Sequence, residues 1–274
     1  MRPQVMGILN VTPDSFSDGG QHDRLESALA RAAEMIAEGV DMIDVGGEST
    51  RPGAAAVSAQ AELARVLPVI EALAPTCPVS IDTRHAEVAR AAVAAGAVMI
   101  NDVSASLANV AAETGTGWVA MHMLGAPGTM QQNPTYGDVV SEVCGFLVQR
   151  ADEAVRAGVG KVWIDPGFGF GKNLDHNLQL LAGLETLVDS GYRVVVGTSR
   201  KSMLGTLIAH SDGAELPVDT SDRLVGSVAT ATYAMLVGAE MVRVHDVKET
   251  IQAVTVFDGR RIPESDTDSA VNPA

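Results

Sequence analysis

Short apolar runs alternate along this chain with Ala-rich segments of helical spacing, and almost every apolar run stops on a polar or charged side chain. Val5–Leu9 stops at Asn10, Val79–Ile81 at Asp82, Val98–Ile100 at Asn101 and Val162–Ile164 at Asp165. Met42–Val45 leads into Gly46-Gly47-Glu48-Ser49-Thr50-Arg51, and Trp118–Met121 stops at His122. Val194–Gly197 leads to Ser199-Arg200-Lys201, and Met241–Val244 stops at His245. Segments such as Leu25–Glu38 and Val88–Ala95, lying between these runs, carry the helical period. Short runs that stay apolar at every position suit strands covered on both faces, which is the condition of a parallel sheet. Eight such strands with intervening helices predict an α/β fold, a single (β/α)8 barrel of the TIM type. Barrel closure gathers all the strand C-termini on one face, where active sites lie. A ring of Asn, Asp, His, Lys and Arg at those ends is hard to account for as packing and predicts an enzyme site there.

The 274 residues suit one such barrel rather than two domains. Residues 1–257 are expected to form it. Residues 258–274, rich in Arg, Pro, Asp, Ser and Asn, are expected to be a disordered tail. The apolar runs fall far short of a membrane span, and Met1-Arg2-Pro3 leads straight into the first strand, so no signal or anchor is expected. Cys77 and Cys144 lack metal or redox spacing and suit free thiols in a reducing cytoplasm. The net charge of −15 disfavours nucleic acid or an anionic membrane as partner. A small anionic substrate is compatible with it, because Arg51, Lys201, Arg243 and His245 fall at strand ends while many acids lie on helices and in the tail.

Six segments stand out in order. The first two are Met6-Gly7-Ile8-Leu9-Asn10-Val11-Thr12-Pro13-Asp14-Ser15-Phe16-Ser17-Asp18-Gly19-Gly20 and Asp44-Val45-Gly46-Gly47-Glu48-Ser49-Thr50-Arg51-Pro52-Gly53. Next come Ser80-Ile81-Asp82-Thr83, Ile100-Asn101-Asp102-Val103 and Ile164-Asp165-Pro166-Gly167-Phe168-Gly169-Phe170-Gly171-Lys172. The last is Ser199-Arg200-Lys201-Ser202, followed later by Arg243-Val244-His245-Asp246. Taken together, the sequence from about Gln4 to Ala253 resembles the dihydropteroate synthase family of pterin-binding barrel enzymes. The resemblance implies a transferase of folate synthesis. Such an enzyme condenses 6-hydroxymethyl-7,8-dihydropterin diphosphate with 4-aminobenzoate, releases pyrophosphate and uses Mg²⁺.

The resemblance also implies three subsites. In the pterin subsite Asp165 matches the residue that accepts two adjacent ring-edge N–H donors, a task one carboxylate performs bidentately. Asp82 and Asn101 match residues bonding the rest of the ring, Lys201 the donor to its carbonyl side, and Arg243 the residue stacked on its face. In the diphosphate subsite Asn10 matches the metal-side residue, with Arg51, Arg243 and His245 as the anion pocket. Arg243 and His245 share one strand face because alternate residues point the same way. The 4-aminobenzoate subsite is implied to use Thr50, Arg51, Pro52, Phe170, Lys201 and Ser202. The resemblance further implies a homodimer.

Plainer roles stand beside these. Asp82 and Asn101 would also serve as helix caps, and His245 as a structural hydrogen-bonding group. Phe170 would also serve as core, although its glycine-rich loop favours a ligand wall; Phe168 is left undecided, and Lys172 and Asn173 are expected only to begin the next helix. Val11–Gly20 and Gly46–Val57 are expected to close over the diphosphate. A pterin-dependent methyltransferase, or a non-catalytic pterin-binding paralogue, remains as an alternative function.

Overall fold

A computed structural model describes residues 2–12, 21–49 and 57–258. Its strands are β1 (Gln4–Asn10), β2 (Met42–Gly46), β3 (Val79–Asp82), β4 (Met99–Asp102), β5 (Gly117–Met121), β6 (Val162–Asp165), β7 (Arg193–Val196) and β8 (Met241–Val244). They pair in parallel in sequence order, and β8 returns to β1 to close the barrel. Around it lie α1 (Gln21–Ala37), α2 (Ala59–Leu73), α3 (Ala86–Ala94), α4 (Ala108–Thr114) and α5 (Val139–Arg156). They continue with α6 (Leu174–Ala182), α7 (Leu184–Val188), α8 (Ser202–Ser211), α9 (Leu224–Val237) and α10 (Val247–Asp258).

The expected barrel is present, with its element ends shifted by a residue or two. β7 stops at Val196 rather than Gly197 because its ladder with β8 ends at the Val196–Val242 pair. The helices begin where side chains satisfy their first N–H groups. Ser58 accepts from the Ala61 N–H before α2, Asp138 from Val140 and Ser141 before α5, and Asn173 forms a capping box with His176 before α6. The short link from β4 to α4 is tied by the buried Asp102 carboxylate. It accepts from the Ser104 and Ser106 N–H groups, the Leu107 N–H and the Trp118 indole.

Strand alternation divides the barrel into two environments. Ile43, Val45, Ile81, Ile100, Ile164 and Val242 face outward into the core shared with the helices. The inward set starts with an apolar plug of Met6, Met99, Val119, Trp163, Val195 and Met241, with Met42 packed against it. Gly117 makes room for that plug, since a Cβ there would stand 3.0 Å from the Trp163 ring. Two residues further along the same strands come Asp44, Asn101, Asp165 and Arg243. A methionine-rich floor therefore carries an ionic layer. Among the described residues no helix is long and apolar enough to cross a membrane, and both cysteines are free thiols.

Candidate active site

A cavity of about 780 Å³ opens above this layer, at the C-terminal mouth. Asn10, Asp82, Phe170, Lys201, Ser202, Arg243 and His245 all line it, which brings together seven predicted residues from the ends of five strands and the loops that follow them. Asn101 and Asp165 lie just beneath, each only 5% exposed. Gly197 forms the cavity surface over Asp165, and a Cβ there would stand 3.9 Å from Asp165 Oδ2. Thr50, Arg51 and Pro52 lie outside the described residues, as does most of both expected closing loops.

Arg243 organises the floor. Its Nε donates to Asp44 Oδ2 and its terminal Nη2 to Asp82 Oδ2, both at 2.6 Å, and Asn101 Nδ2 donates to the same Asp44 oxygen at 2.9 Å. Burial pushes the Asp82 carboxyl up to about 7, against the pull of Arg243 and with a further push from Asp44. Burial also opposes the charge on Arg243, but the two carboxylates outweigh it and hold the guanidinium above its usual range. Asp44, which no sequence motif marks as a site residue, sits two residues before Gly46 on the inward side of β2, where a carboxylate needs a partner. Neither Asp82 nor Asn101 caps a helix, since His85 precedes α3 and Leu107 precedes α4. Asp165 accepts from the Gly167 N–H at 2.7 Å, and burial raises its pKa despite that bond and the nearby Lys201.

His245 sits beside Ser199, whose Oγ accepts from the His245 N–H and lies 3.1 Å from its Nδ1. With its oxygen accepting one bond, the Ser199 hydroxyl can donate to Nδ1, which leaves the imidazole hydrogen on Nε2. Burial, reinforced by Arg243 and Arg200, lowers the His245 pKa to about 3, so the neutral ring acts as a hydrogen-bond donor rather than a cation. The same shift has a stability consequence. Below the ordinary value of 6.5 the unfolded chain takes up a proton that folded His245 refuses until about 3. Stability should therefore be lost as pH falls through that window, by up to about 1.4 kcal/mol per pH unit from this group. Asp82, raised to about 7 from 3.8, works in the opposite direction. The His245 share is isolated by comparing urea unfolding of the wild type with His245→Gln at pH 7 and pH 5. The variant should gain relative stability at pH 5, and an unchanged difference would contradict the neutral buried imidazole.

The glycine-rich turn after β6 separates the two phenylalanines. Positive φ angles at Gly167, Gly169 and Gly171 reverse the chain repeatedly. Phe168 is buried in the core, whereas Phe170 lines the cavity with the Lys201 ammonium 4.1 Å from its ring centre. Lys201 is delivered by Arg200, a non-glycine residue at φ 57. Ser227 Oγ, the Asp246 carboxylate and Arg223 hold that residue through its N–H, guanidinium and carbonyl. Asn173 begins α6 as expected, but Lys172 departs from its expected role. It lines the cavity with its Nζ buried against backbone carbonyls.

Glu48, Glu62 and His85 have ligand-type atoms within 4.8 Å of one another. Each of them already has a close partner among the described residues. Arg84 donates twice to Glu48, each bond 2.9 Å, and His85 Nδ1 lies 2.6 Å from the buried Glu62.

Fold and cavity together define a barrel enzyme with a small-molecule site lined by Asn10, Asp82, Lys201, Arg243 and His245. The family model described as "Pterin binding enzyme" matches residues 6–245. The dihydropteroate synthase of Escherichia coli (strain K12) is 49% identical over 264 residues, covering 93% of this chain and 91% of that enzyme. Xanthomonas albilineans dihydropteroate synthase with 4-aminobenzoic acid superposes with a TM-score of 0.86 at 48% identity, over 96% of this chain and 94% of the other. The same enzyme in complex with 7,8-dihydropteroate gives a TM-score of 0.83 at 46% identity, over 96% and 95%. This chain belongs to the pterin binding enzymes and, among them, to the dihydropteroate synthases.

Proposed function

We propose that the cavity joins 6-hydroxymethyl-7,8-dihydropterin diphosphate to 4-aminobenzoate, giving 7,8-dihydropteroate and pyrophosphate. The observation that carries this is the convergence of Asn10, Asp82, Lys201, Arg243 and His245 on one cavity, with Asp165 and Asn101 directly below it. Asp165, Asn101 and Asp82 would take the donor edge of the pterin, and Lys201 its carbonyl side. The clamp of Arg243 by Asp44 and Asp82 holds the guanidinium at the floor, where it meets the ring and the first phosphate. The Nε2–H of His245 would donate to the leaving diphosphate, joined by Arg51. These donors stabilise negative charge as the C–O bond breaks, while the pterin ring shares the cation on its exocyclic carbon. The aniline nitrogen of 4-aminobenzoate then attacks without a strong base. Phe170 and Lys201 would hold its ring, with Thr50 and Pro52 closing the subsite. Its carboxylate would lie at Ser202, where the N-terminus of α8 attracts anions.

The residues fit a Mg²⁺ ion on the diphosphate side. Asn10 offers a neutral hard oxygen at the cavity wall, and Gly46 leaves the space beside it open, since a Cβ there would stand 3.5 Å from Asn10 Oδ1. When bound, the ion would neutralise diphosphate charge and strengthen it as a leaving group. We further assign the enzyme to the cytoplasm. The outer face of α9 supports a homodimer, because Val225, Tyr233 and Leu236 expose an apolar stripe on a helix without charged residues.

Incubation with both substrates and Mg²⁺ should release pyrophosphate and form dihydropteroate, and no product would refute the reading. His245→Ala should cut turnover by about tenfold to a hundredfold while leaving affinity for the bare pterin nearly intact. Wild-type turnover in that variant would remove His245 from the diphosphate subsite. Because Arg51 answers to the diphosphate charge, 4-aminobenzoate should bind at least about tenfold tighter with Mg²⁺ and pyrophosphate present. Arg51→Ala should abolish most of that gain in equilibrium binding. Equal affinity with and without pyrophosphate in the wild type would mean a preformed subsite.

A further inference from the structure

Most polar groups of the turn that presents Phe170 have a specific partner, and two of its carbonyls meet one lysine. Lys172 is only 3% exposed, yet its Nζ lies 3.0 Å from the carbonyl oxygens of both Gly167 and Phe170 and 2.9 Å from His122 Nδ1. Burial lowers the Lys172 pKa to about 7, and in its protonated form the amine brings three hydrogens to three acceptors at normal bonding distance. The remaining contacts make the turn tighter still. The Gly167 N–H is taken by Asp165, the Gly169 N–H by Asn177 Oδ1, the Gly169 carbonyl by Gln131 and the Gly171 carbonyl by the Tyr136 hydroxyl. The chain passes so close to its neighbours that a Cβ at Gly167 would fall 2.0 Å from the His122 carbonyl and one at Gly171 2.4 Å from that of Leu124. His122 is fixed in turn by edge contact with Phe146 at 5.1 Å and by the tilted Tyr136 ring at 6.1 Å. Burial and the nearby Lys172 lower its pKa to about 3, and the neutral ring accepts at Nδ1 in its Nε2–H tautomer.

We propose that Lys172 is a positioning residue for the arylamine substrate. Its ammonium bolts the Gly167–Phe170 turn to His122, so that Phe170 stands as a preset wall opposite Lys201 rather than swinging into place. The role rests on the reading of Phe170 as a wall of the 4-aminobenzoate subsite. It acts chiefly on that substrate, because the bonds of Lys172 go to the turn and to His122, and it reaches Asp165 only through its charge and the Gly167 N–H.

Steady-state kinetics of Lys172→Met tests this. The KM for 4-aminobenzoate should rise about tenfold, while kcat and the KM for the pterin diphosphate stay within about twofold. Phe170→Ala should also raise the 4-aminobenzoate KM, and the Phe170→Ala, Lys172→Met double variant should show no further rise, since the lysine acts through the ring. An unmoved 4-aminobenzoate KM in folded Lys172→Met, a joint decline of all three parameters, or additive effects in the double variant would each overturn the role. Should Lys172→Met not fold, His122→Leu removes one acceptor and keeps the charge; it must raise the same KM by a smaller factor, and an unchanged KM there overturns the proposal. A wild type that turns over with these variants behaving like it overturns only the role of Lys172. A wild type that releases no pyrophosphate overturns the proposed function and this inference together.

Discussion

Arg243→Met should lose about 3–5 kcal/mol of stability, the largest effect expected of any single change in the floor. The arginine is the common partner of Asp44 and Asp82, and removing it strands the buried Asp44 carboxylate close to that of Asp82 at the cavity wall. Asp44 has little in reserve, because its Oδ1 already lacks a hydrogen-bond partner. The variant has one escape, which is to protonate. Asp82 already stands near 7, and without Arg243 its pKa rises further, whereas the unfolded carboxyl titrates near 3.8. The folded variant therefore binds a proton that the unfolded chain does not, and its deficit should shrink as pH falls from 8 to 5. Urea unfolding at both pH values measures this, and adding Asp82→Asn should recover part of the loss. A variant as stable as the wild type at pH 8 would mean that the clamp contributes nothing. Activity should be lost with it, since the proposed mechanism places Arg243 against both ring and phosphate.

Asp165→Asn should weaken binding of a bare pterin by about 2–3 kcal/mol, roughly two orders of magnitude. The size follows from which way the new amide must face. The Gly167 N–H donates to Asp165 Oδ1 at 2.7 Å, so an asparagine keeps its oxygen there and keeps the turn intact. Its NH2 then points where the second carboxylate oxygen was, toward the proposed ligand edge, and two donors meet. Calorimetry with a pterin lacking the diphosphate separates this from any change in the chemical step. A folded variant with wild-type affinity would remove Asp165 from the pterin subsite.

Much of this architecture is legible in the chain because the strands are uniformly apolar and then end on groups that apolar surroundings do not tolerate. Asn10, Asp82, Asn101, Asp165 and His245 announce the mouth of the barrel for that reason. The pairings among them are less visible. Arg243 and Asp44 lie 199 residues apart, and the sequence alone does not specify their direct contact. Asp44 was concealed by the conspicuous glycines that follow it, although strand alternation places it inward. The difference between Phe168 and Phe170 depends on three glycine φ angles, and the delivery of Lys201 on the left-handed Arg200. Backbone choices of this kind are made by tertiary contacts and leave only a glycine, or nothing, in the sequence. Lys172 reads as a helix start in the sequence because its neighbour Asn173 caps one.

The two-residue alternation that stacks the ionic layer on the methionine floor also makes strand length a ruler. Trp163 and Asp165 share a side of β6 while Ile164 faces the helices. One extra residue between Trp163 and Asp165 would reverse that phase, swinging the carboxylate toward the helices and an isoleucine toward the substrate. Two extra residues would restore the phase but lift the carboxylate by about 7 Å, out of reach of the other strands' groups. The eight strands therefore cannot drift in length independently, and insertions are expected to be confined to the connections.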